Sequence, residues 1–298
     1  DGNSIINRAF YGIKLLTTKD GRYTNAIYGF MNIFYKLCDE LHPDSVAFAF
    51  DLKAPTFRHK MYDEYKAGRK PMPPELAEQM PVLKDLLRAL GYKIVTKEGY
   101  EADDILGTLA FSCKDGDECY IATGDRDSLQ LVGDNVKVLL ASTKMGRPET
   151  NIYDVKRIKD DYGVTPHQLI DIKALMGDSS DNIPGVSGVG QKTAQSLISE
   201  LGSIQNIYDN IDTIDIRETL RNKLKNDKDS AFMSYKLGEI CKSVPIETDY
   251  SFYIPDEGDK GEALSILRSL EMYKLIDKIG LNTVTYDAKP ENTTVKEY

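Results

Sequence analysis

Acidic residues recur in five short clusters along the chain, and this pattern constrains the fold more than any other feature of the sequence. Two clusters, at Asp51 and at Asp125, directly follow short apolar segments that predict buried strands. In an open parallel sheet the carboxyl ends of such strands share one edge, which is where ligands bind. The clustered acids are Asp1, Asp51, Glu101, Asp103, Asp104, Asp125, Asp127, Asp178 and Asp181.

Like charges gathered on one edge would repel and raise one another's pKa values unless cations lie among them. All-oxygen ligands favour hard divalent ions, so the pattern predicts a site for two Mg²⁺ or Mn²⁺ ions. Paired ions of this kind serve enzymes that cut or move phosphate esters. The formal net charge of -9 argues by itself against a nucleic-acid partner, but bound ions would offset the clustered acids.

Hydrophobic periodicity predicts an α/β fold with a mostly parallel central sheet and helices on both faces. Predicted strands at 45–50, 92–96, 118–123 and 136–141 alternate with helices at 24–41, 75–90 and 101–112. Beyond about residue 150 the pattern becomes helical, at 153–162, 166–177, 191–201, 228–241 and 261–279. We therefore expect an α/β core over 1–158 with an arm at about 52–80, a helical region over 159–281 and a polar linker over 282–298.

Each acidic motif has a simpler interpretation when it is taken alone. Asp125-Arg126-Asp127 after a strand also fits a helix N-cap followed by a first-turn acid. It also resembles the nucleophile motif of haloacid-dehalogenase phosphatases, although Leu129 stands where that family has threonine. The run at 101–104 also fits a solvated acidic helix start. The metal-site interpretation depends on the clusters being taken together.

Glycines at 184–194 lead directly into a predicted helix, in the order Pro-Gly-Val-Ser-Gly-Val-Gly-Gln-Lys-Thr-Ala. Glycine permits close approach of the backbone, and a helix N-terminus offers free N–H groups and the positive end of a dipole. This glycine hairpin therefore predicts a grip on a phosphate backbone without base recognition. The alternative is a tight interhelical turn.

Aromatic and basic side chains interleave along residues 57–70, which we call the basic segment. Aromatic faces stack on bases and cations neutralise phosphates, so the segment suits a single-stranded nucleic acid. An exposed amphipathic helix is the alternative. The four cysteines have no metal or redox spacing and are typical of reduced thiols in a cytosolic protein.

Five motifs, at 1–4, 57–70, 99–104, 123–127 and 177–190, together resemble the 5′-nuclease domain of bacterial DNA polymerase I, within the flap-endonuclease superfamily. The resemblance runs in order from residue 1 to about 280. It implies that the first metal is held by Asp1, Asp51, Glu101 and Asp103, with Asp104 in support. It implies that the second is held by Asp125, Asp127 and Asp181, with Asp178 acting through water.

The resemblance also implies roles for basic and glycine residues. Lys66 and Arg69 would steer the scissile phosphate, and Arg8 would contact phosphate near the active site. The basic segment would belong to an arch through which a 5′ single strand passes, with Tyr65 stacking on a base. K⁺ would bind at the glycine hairpin. The implied DNA-binding residues are Arg58, Tyr62, Tyr65, Lys70, Gly185, Gly188, Gly190, Lys192 and Thr193.

The function that follows is a metal-dependent, structure-specific 5′-3′ exonuclease and 5′-flap endonuclease. Its substrates would be DNA with a 5′ flap, nick or recessed 5′ end, and RNA–DNA primers. We expect a cytoplasmic monomer without membrane association, joined to proofreading and polymerase domains. A family strand that normally precedes Asp1 is absent from this sequence, and we expect the chain to be a fragment. A non-catalytic DNA-binding module is the first alternative, and an aspartate-nucleophile phosphatase is the second.

Overall fold

The computed structural model describes residues 1–144 and 147–283 and places them in two compact units that interleave along the chain. The first unit contains Asp1–Arg8, Phe48–Met72 and Val95–Phe252, and the second contains Ala9–Ala47, Pro73–Ile94 and the chain from Tyr253 onward. The division predicted between residues 158 and 159 stays a prediction. The predicted linker at 282–298 lies, from residue 284 onward, outside the described residues.

The first unit is organised by a three-stranded sheet. Strand β3 (Cys119–Thr123) pairs in parallel with β4 (Val136–Lys144), which places Ile121 opposite Val138. Strand β5 (Arg147–Tyr153) pairs with β4 in antiparallel orientation. A separate two-stranded sheet joins β1 (Ala47–Ala49) to β2 (Lys93–Val95). The α/β class is confirmed, and the antiparallel edge strand β5 was not predicted.

Helices after β5 pack around an apolar core of their own. Helix α8 (Gln168–Met176) contacts α9 (Gln191–Leu201) and α12 (Lys228–Gly238). Val186 and Val189 of the glycine hairpin are buried in this core. Packing of these two valine side chains therefore anchors the glycine hairpin to the helical core.

The remaining helices of the first unit and the helix at the chain start are short. Two 3-10 helices, at Arg126–Leu131 and Tyr250–Tyr253, accompany them. The helices are α1 (Gly2–Gly12), α3 (Phe57–Met61), α6 (Ala102–Phe111), α7 (Val155–Tyr162), α10 (Ile204–Asp209) and α11 (Glu218–Asn226). Of these six, α1, α3, α10 and α11 were not predicted.

The second unit is helical. Helix α5 (Gln79–Ala89) packs against α2 (Asn25–Leu41) and α13 (Lys260–Ser269). The buried Gln79 side chain accepts hydrogen bonds from the N–H groups of Ala26 and Ile27, at 2.8 and 3.2 Å. It thus satisfies donors that the first turn of a helix leaves free. The shorter elements are α4 (Pro74–Ala77), α14 (Tyr273–Lys278) and a 3-10 turn at Leu281–Thr283. Among the described helices, none has the length and apolarity that a membrane span requires.

Candidate active site

The first group of carboxylates lies where strands end and helices begin. Asp51 follows β1, and its Oδ1 accepts from the backbone N–H of Ala102, the first residue of α6, at 2.7 Å. Its Oδ2 accepts from the Asn3 amide at 2.8 Å. Glu101 caps α6 in a reciprocal box in which its own N–H donates to Asp104 Oδ2 at 3.0 Å. Acidic side chains in a first turn also suit the helix dipole.

The end of β3 joins two further carboxylates. Asp125 caps the following 3-10 helix, since its Oδ1 accepts from the Asp127 N–H at 2.9 Å. Asp1 accepts from the Ser4 N–H at 2.9 Å and from the Thr123 hydroxyl at 2.7 Å. The Asp1 carboxylate is therefore tied both to the start of α1 and to the last residue of β3.

A second group of carboxylates contains Asp127, Asp178 and Asp181, whose ligand oxygens lie within 4.8 Å of one another. Lys173 forms ion pairs with Asp127 and with Asp178, the latter at 2.8 Å. Asp178 also accepts from the Ser180 N–H at 2.8 Å and from its hydroxyl at 2.6 Å. Two chain segments, one after β3 and one after α8, thus bring acidic oxygens to one place.

The pKa shifts reflect this crowding. Burial, and then the charges of Asp125, Asp127 and Asp51, raise the pKa of Asp103 to about 8, with Lys66 opposing the shift. Burial raises the pKa of Asp127 to about 6 although Lys173 opposes it. These residues share one electrostatic field, although they belong to different elements.

Asp178 shows the opposite shift. Burial works to raise its pKa, but hydrogen bonds from Lys173 and Ser180 lower it to about 2. The charged form of Asp178 is therefore already stabilised by protein groups, whereas that of Asp103 is not. An added cation would relieve Asp103 most.

The resemblance implies a supporting role for Asp104 at the first metal, and the structure shows which groups its carboxylate contacts. Asp104 is fully buried, and its carboxylate forms a two-pronged pair with the Arg58 guanidinium at 2.8 Å for both contacts. It also accepts from the backbone N–H groups of Glu101 and Cys241. With its oxygens occupied in this way, Asp104 supports Glu101 and has no free lone pair directed at an ion.

The expected DNA contact by Arg58 is wrong for the same reason. Arg58 is 2% exposed, and its other donors contact Glu101 Oε2 at 3.2 Å and the carbonyl oxygens of Leu237 and Glu239 at 2.8 and 2.7 Å. A guanidinium with these partners cannot reach a phosphate. Its charge instead neutralises a buried carboxylate inside the first unit.

Three other side chains of the basic segment, Tyr65, Lys66 and Arg69, contact the acidic groups. Lys66 Nζ donates to Glu101 Oε1 at 2.7 Å, and Arg69 donates to Asp181 Oδ1 at 2.5 Å. The Tyr65 hydroxyl lies 3.1 Å from Glu101 and 3.3 Å from Asp181. Lys66 also donates its backbone N–H to the Asp181 carbonyl at 2.9 Å. Two cations thus lie where a phosphate near the carboxylates would meet them.

Base stacking by Tyr65, as the sequence suggested, does not fit its position. Tyr65 is 4% exposed and is packed with Ile183 and Leu237, against which Tyr62 also lies partly buried. Burial further raises the pKa of the Tyr65 phenol, so the hydroxyl is a hydrogen-bond donor to the carboxylates. Lys70 is exposed to solvent.

Arg8 is directed at the β4–β5 hairpin. Its guanidinium donates to the Ser142 carbonyl and, at 3.4 Å, to the Glu149 carbonyl. Partial burial lowers its pKa. The structure therefore places Arg8 on backbone oxygens beside the site, and its phosphate contact stays a prediction.

The glycine hairpin has the conformation that its composition predicts. Gly185 and Gly188 have φ of 64° and 69°, and Gly190 is the N-cap of α9. A Cβ at Gly185 would lie 2.3 Å from the backbone nitrogen of Gly177, so only glycine fits there. Lys192 is exposed and Thr193 partly so, at the open start of α9.

Lys173 was missed by reasoning from the sequence. The signal that was available is a lone lysine within an apolar helix, Ile-Asp-Ile-Lys-Ala-Leu-Met. A lysine in such a position is buried only when it is paired with an anion. The sequence does not identify that anion, because Asp127 lies 46 residues away.

Two family models match this chain. Residues 1–163 match the N-terminal resolvase-like domain of the 5′-3′ exonucleases, and residues 164–260 match their C-terminal SAM fold. DNA polymerase I of Caldicellulosiruptor bescii is 44% identical over 285 residues, which is 95% of this chain and 33% of that protein. DNA polymerase I of Bacillus subtilis is 42% identical, over 94% of this chain and 32% of that protein. The chain spans about a third of these relatives.

Solved structures share the fold. A T5 5′-exonuclease with bound zinc has a TM-score of 0.66 at 22% identity and covers 90% of this chain and 97% of its own. The catalytic core of Rad2 in complex with a DNA substrate has a TM-score of 0.57 at 20% identity, covering 88% of this chain and 86% of its own. At these identities the likeness establishes the architecture alone.

Proposed function

Because the chain belongs to the 5′-3′ exonuclease family, we propose that it hydrolyses phosphodiester bonds near a free 5′ end of DNA with the help of divalent ions. The observation that carries this proposal is the pairing of Lys66 with Glu101 and of Arg69 with Asp181, in the midst of the acidic groups. Cations that reach the carboxylates lie close to any phosphate that is bound there. We also propose that the α/β core ends near residue 158 and that the helical region follows it.

The donor set fits hard divalent ions, because it consists of carboxylate oxygens and because burial, together with the neighbouring like charges, raises the pKa of Asp103. One ion would be held by Asp1, Asp51, Glu101 and Asp103, and the other by Asp125, Asp127 and Asp181, with Asp178 acting through water. Such ions lower the pKa of an attacking water and stabilise charge on the phosphate. The zinc in the T5 5′-exonuclease structure supports divalent-ion binding, and we propose Mg²⁺ or Mn²⁺ here.

Lys66 and Arg69 would orient the phosphate and stabilise the charge that develops on it. Lys66 is suited to this because its backbone is fixed on the Asp181 carbonyl while its side chain is 19% exposed. Arg8 and Lys70 would contact neighbouring phosphates. No protein side chain needs to form a covalent bond to the substrate.

The glycine hairpin would hold the duplex by its backbone. Its N–H groups lie at the N-terminus of α9 beside Lys192 and Thr193, an arrangement that favours anions. We propose that K⁺ binds there together with a phosphate. Contacts to the backbone carry no base information, so selectivity would come from DNA shape and the free 5′ end.

The biological substrates would be 5′ flaps, nicks, recessed ends and RNA–DNA primers. The Rad2 core bound to a DNA substrate supports a DNA partner. We propose that the chain is the nuclease part of a DNA polymerase I, acts without a second copy and lies in the cytoplasm. Four free cysteines support a reducing compartment.

Cleavage of a 5′-labelled flap duplex tests the proposal, with Mg²⁺ or with EDTA, beside the variants Asp125→Asn and Lys66→Ala. We expect magnesium-dependent cutting near the flap junction that Asp125→Asn abolishes while DNA binding persists. Lys66→Ala should slow cutting about 100-fold with little loss of affinity.

The two alternative functions predict different results. DNA binding without any cutting would favour a non-catalytic binding module. Release of phosphate from a small phosphomonoester, lost in Asp125→Asn, would favour an aspartate-nucleophile phosphatase. Because asparagine has nearly the same shape as aspartate, we expect Asp125→Asn to fold like the parent, so that a loss of cutting reports on chemistry.

A further inference from the structure

Lys173 is a buried cation that the proposed chemistry does not use. It lies in the middle of α8 and is 8% exposed. Its aliphatic stem is confined, since a Cβ at Gly238 would lie 3.2 Å from Lys173 Cδ. The ammonium group is therefore held in one place by packing of the stem.

The ammonium group lies between two carboxylates of the second group. It forms ion pairs with Asp127 and with Asp178, the latter at 2.8 Å. The oxygens of these two residues and of Asp181 approach within 4.8 Å. Any cation that these oxygens bind must share them with Lys173.

The other cations of the second group differ from Lys173. Arg69 and Lys66 lie on Asp181, and the side chain of Arg69 is 51% exposed against 10% for Lys173. Both belong to the basic segment, whereas Lys173 belongs to a helix of the core. Lys173 is therefore the most confined of the three cations, since the side chain of Lys66 is 19% exposed and that of Arg69 is half exposed.

We propose that Lys173 is a positioning residue that sets the metal affinity of the second site. It holds Asp127 and Asp178 side by side in the absence of an ion, because it offsets their repulsion. Its positive charge also repels a divalent ion on the same oxygens and weakens its binding. This proposal rests on the proposed function, in which these carboxylates bind a divalent ion.

Removal of the charge separates the two effects. Lys173→Met keeps the stem and removes the ammonium group, and Lys173→Arg is the charge-retaining control. Free Mn²⁺ is measured by electron paramagnetic resonance during titration of the full chain without DNA. We expect the weaker class of Mn²⁺ sites in Lys173→Met to bind about tenfold more tightly or better, and Lys173→Arg to stay within about threefold of the parent.

A second readout follows thermal unfolding. In EDTA, Lys173→Met should melt at a lower temperature than the parent, and saturating Mn²⁺ should raise its melting temperature by more than it raises that of the parent. A purely structural lysine would lower both melting temperatures equally. Equal or weaker Mn²⁺ binding by folded Lys173→Met would overturn the proposal.

The design keeps other failures distinct. A parent chain that binds no Mn²⁺ would contradict the proposed metal-dependent function and leave no affinity for Lys173 to set, which also overturns this inference. Should Lys173→Met not fold, Lys173→Gln removes the charge while retaining a donor and must show the same tightening. If neither neutral variant folds, a change above about threefold in Lys173→Arg would overturn it.

Discussion

A single carboxyl, that of Asp103, makes the stability of the metal-free protein depend on pH. Its pKa in the folded chain is about 8, against an ordinary value of about 4. The folded state therefore holds this proton more tightly than the unfolded state, so the stabilisation is present below about pH 4 and is lost as pH rises towards 8. Asp127, at about 6, acts in the same direction.

We expect the free energy of unfolding in EDTA to fall between pH 5 and pH 8. Asp103→Asn should flatten this slope, because the amide does not titrate. Urea unfolding at several pH values measures it. Asp178 contributes little to this slope, because its pKa of about 2 places its own effect on the free energy of unfolding below pH 5. Parallel slopes for parent and variant would contradict the assignment.

The Arg58–Asp104 pair gives a second prediction for single residues. Arg58→Met should reduce the unfolding free energy by about 3–5 kcal/mol, because it leaves a buried carboxylate without its counter-ion. Asp104→Leu should cost about as much for the reciprocal reason. Chemical denaturation of the two variants measures both values.

The double variant Arg58→Met/Asp104→Leu is the control. Replacing both ions with apolar groups often restores stability, so we expect it to be more stable than either single variant. Additive losses would show that the contacts of Arg58 to Leu237 and Glu239 matter more than the ion pair.

Individual roles in the site were only partly predictable from the sequence. Acidic residues after strands were visible, because a short apolar run followed by Asp51 or Asp125 is a local pattern. The burial of Arg58 was not visible, because it depends on Asp104, 46 residues away, and on carbonyls near residue 238. Burial of a charge is decided by distant partners.

Among the local elements, the glycine hairpin depends most on one residue. Gly185→Ala should cost at least about 2 kcal/mol of stability, because φ is positive and the new Cβ would meet the Gly177 backbone at 2.3 Å. It should also weaken binding to duplex DNA. Thermal melting and fluorescence anisotropy measure the two effects.

Gly190→Ala is the matched control in the same hairpin. Its φ of -96° is ordinary, and a Cβ there would meet nothing within 4 Å. We expect a loss below about 1 kcal/mol, chiefly from the poorer N-cap. An equal loss in both variants would mean that the hairpin does not depend on its close approach to Gly177.

Elements with strong periodicity were predicted, and weakly patterned elements were not. Helix α2 and strand β3 appear within two residues of the predicted bounds. Strand β5, Arg-Pro-Glu-Thr-Asn-Ile-Tyr, is polar and contains proline, so only its pairing with β4 makes it a strand. Helix α11 has few apolar residues, and α1 begins with glycine, which is a poor helix former.

At the scale of the whole molecule, the net charge of -9 must be reconciled with the proposed binding to DNA. The clustered carboxylates repel phosphate until divalent ions neutralise them. We therefore expect affinity for flap DNA to be at least about tenfold lower in EDTA than in Ca²⁺ at equal ionic strength. Fluorescence anisotropy with labelled DNA measures this difference.

A neutralising variant tests the cause. Measured above about pH 8, where both carboxyls are ionised, Asp103→Asn/Asp127→Asn removes two negative charges from the acidic groups and should recover part of the affinity in EDTA. Lys192→Ala should instead weaken binding similarly in both buffers, because the glycine hairpin lies outside the acidic groups. Equal affinity of the parent in EDTA and in Ca²⁺ would show that the charge of the carboxylates does not affect DNA binding.

Family and fold class were recognisable from the whole sequence, since its motifs follow one another in order from residue 1 to about 280. The sequence did not reveal that segments from both ends of the described chain alternate between two compact units. Interleaving arises from contacts between residues that are far apart in sequence, and motif order carries no information about such contacts.

Three candidate ligands, Asp1, Glu101 and Asp125, also cap the helices that follow them. One set of oxygens thus serves both the start of a helix and the chemistry. Asparagine caps helices about as well as aspartate, and at the two aspartates, Asp1 and Asp125, a single nucleotide exchange in the codon produces it. Under the proposed function, this exchange at Asp1 or Asp125 would leave a chain that folds and occupies DNA ends without cutting them. In a cell that also carries the normal allele, such a chain would shield those ends, so the inherited defect would be dominant.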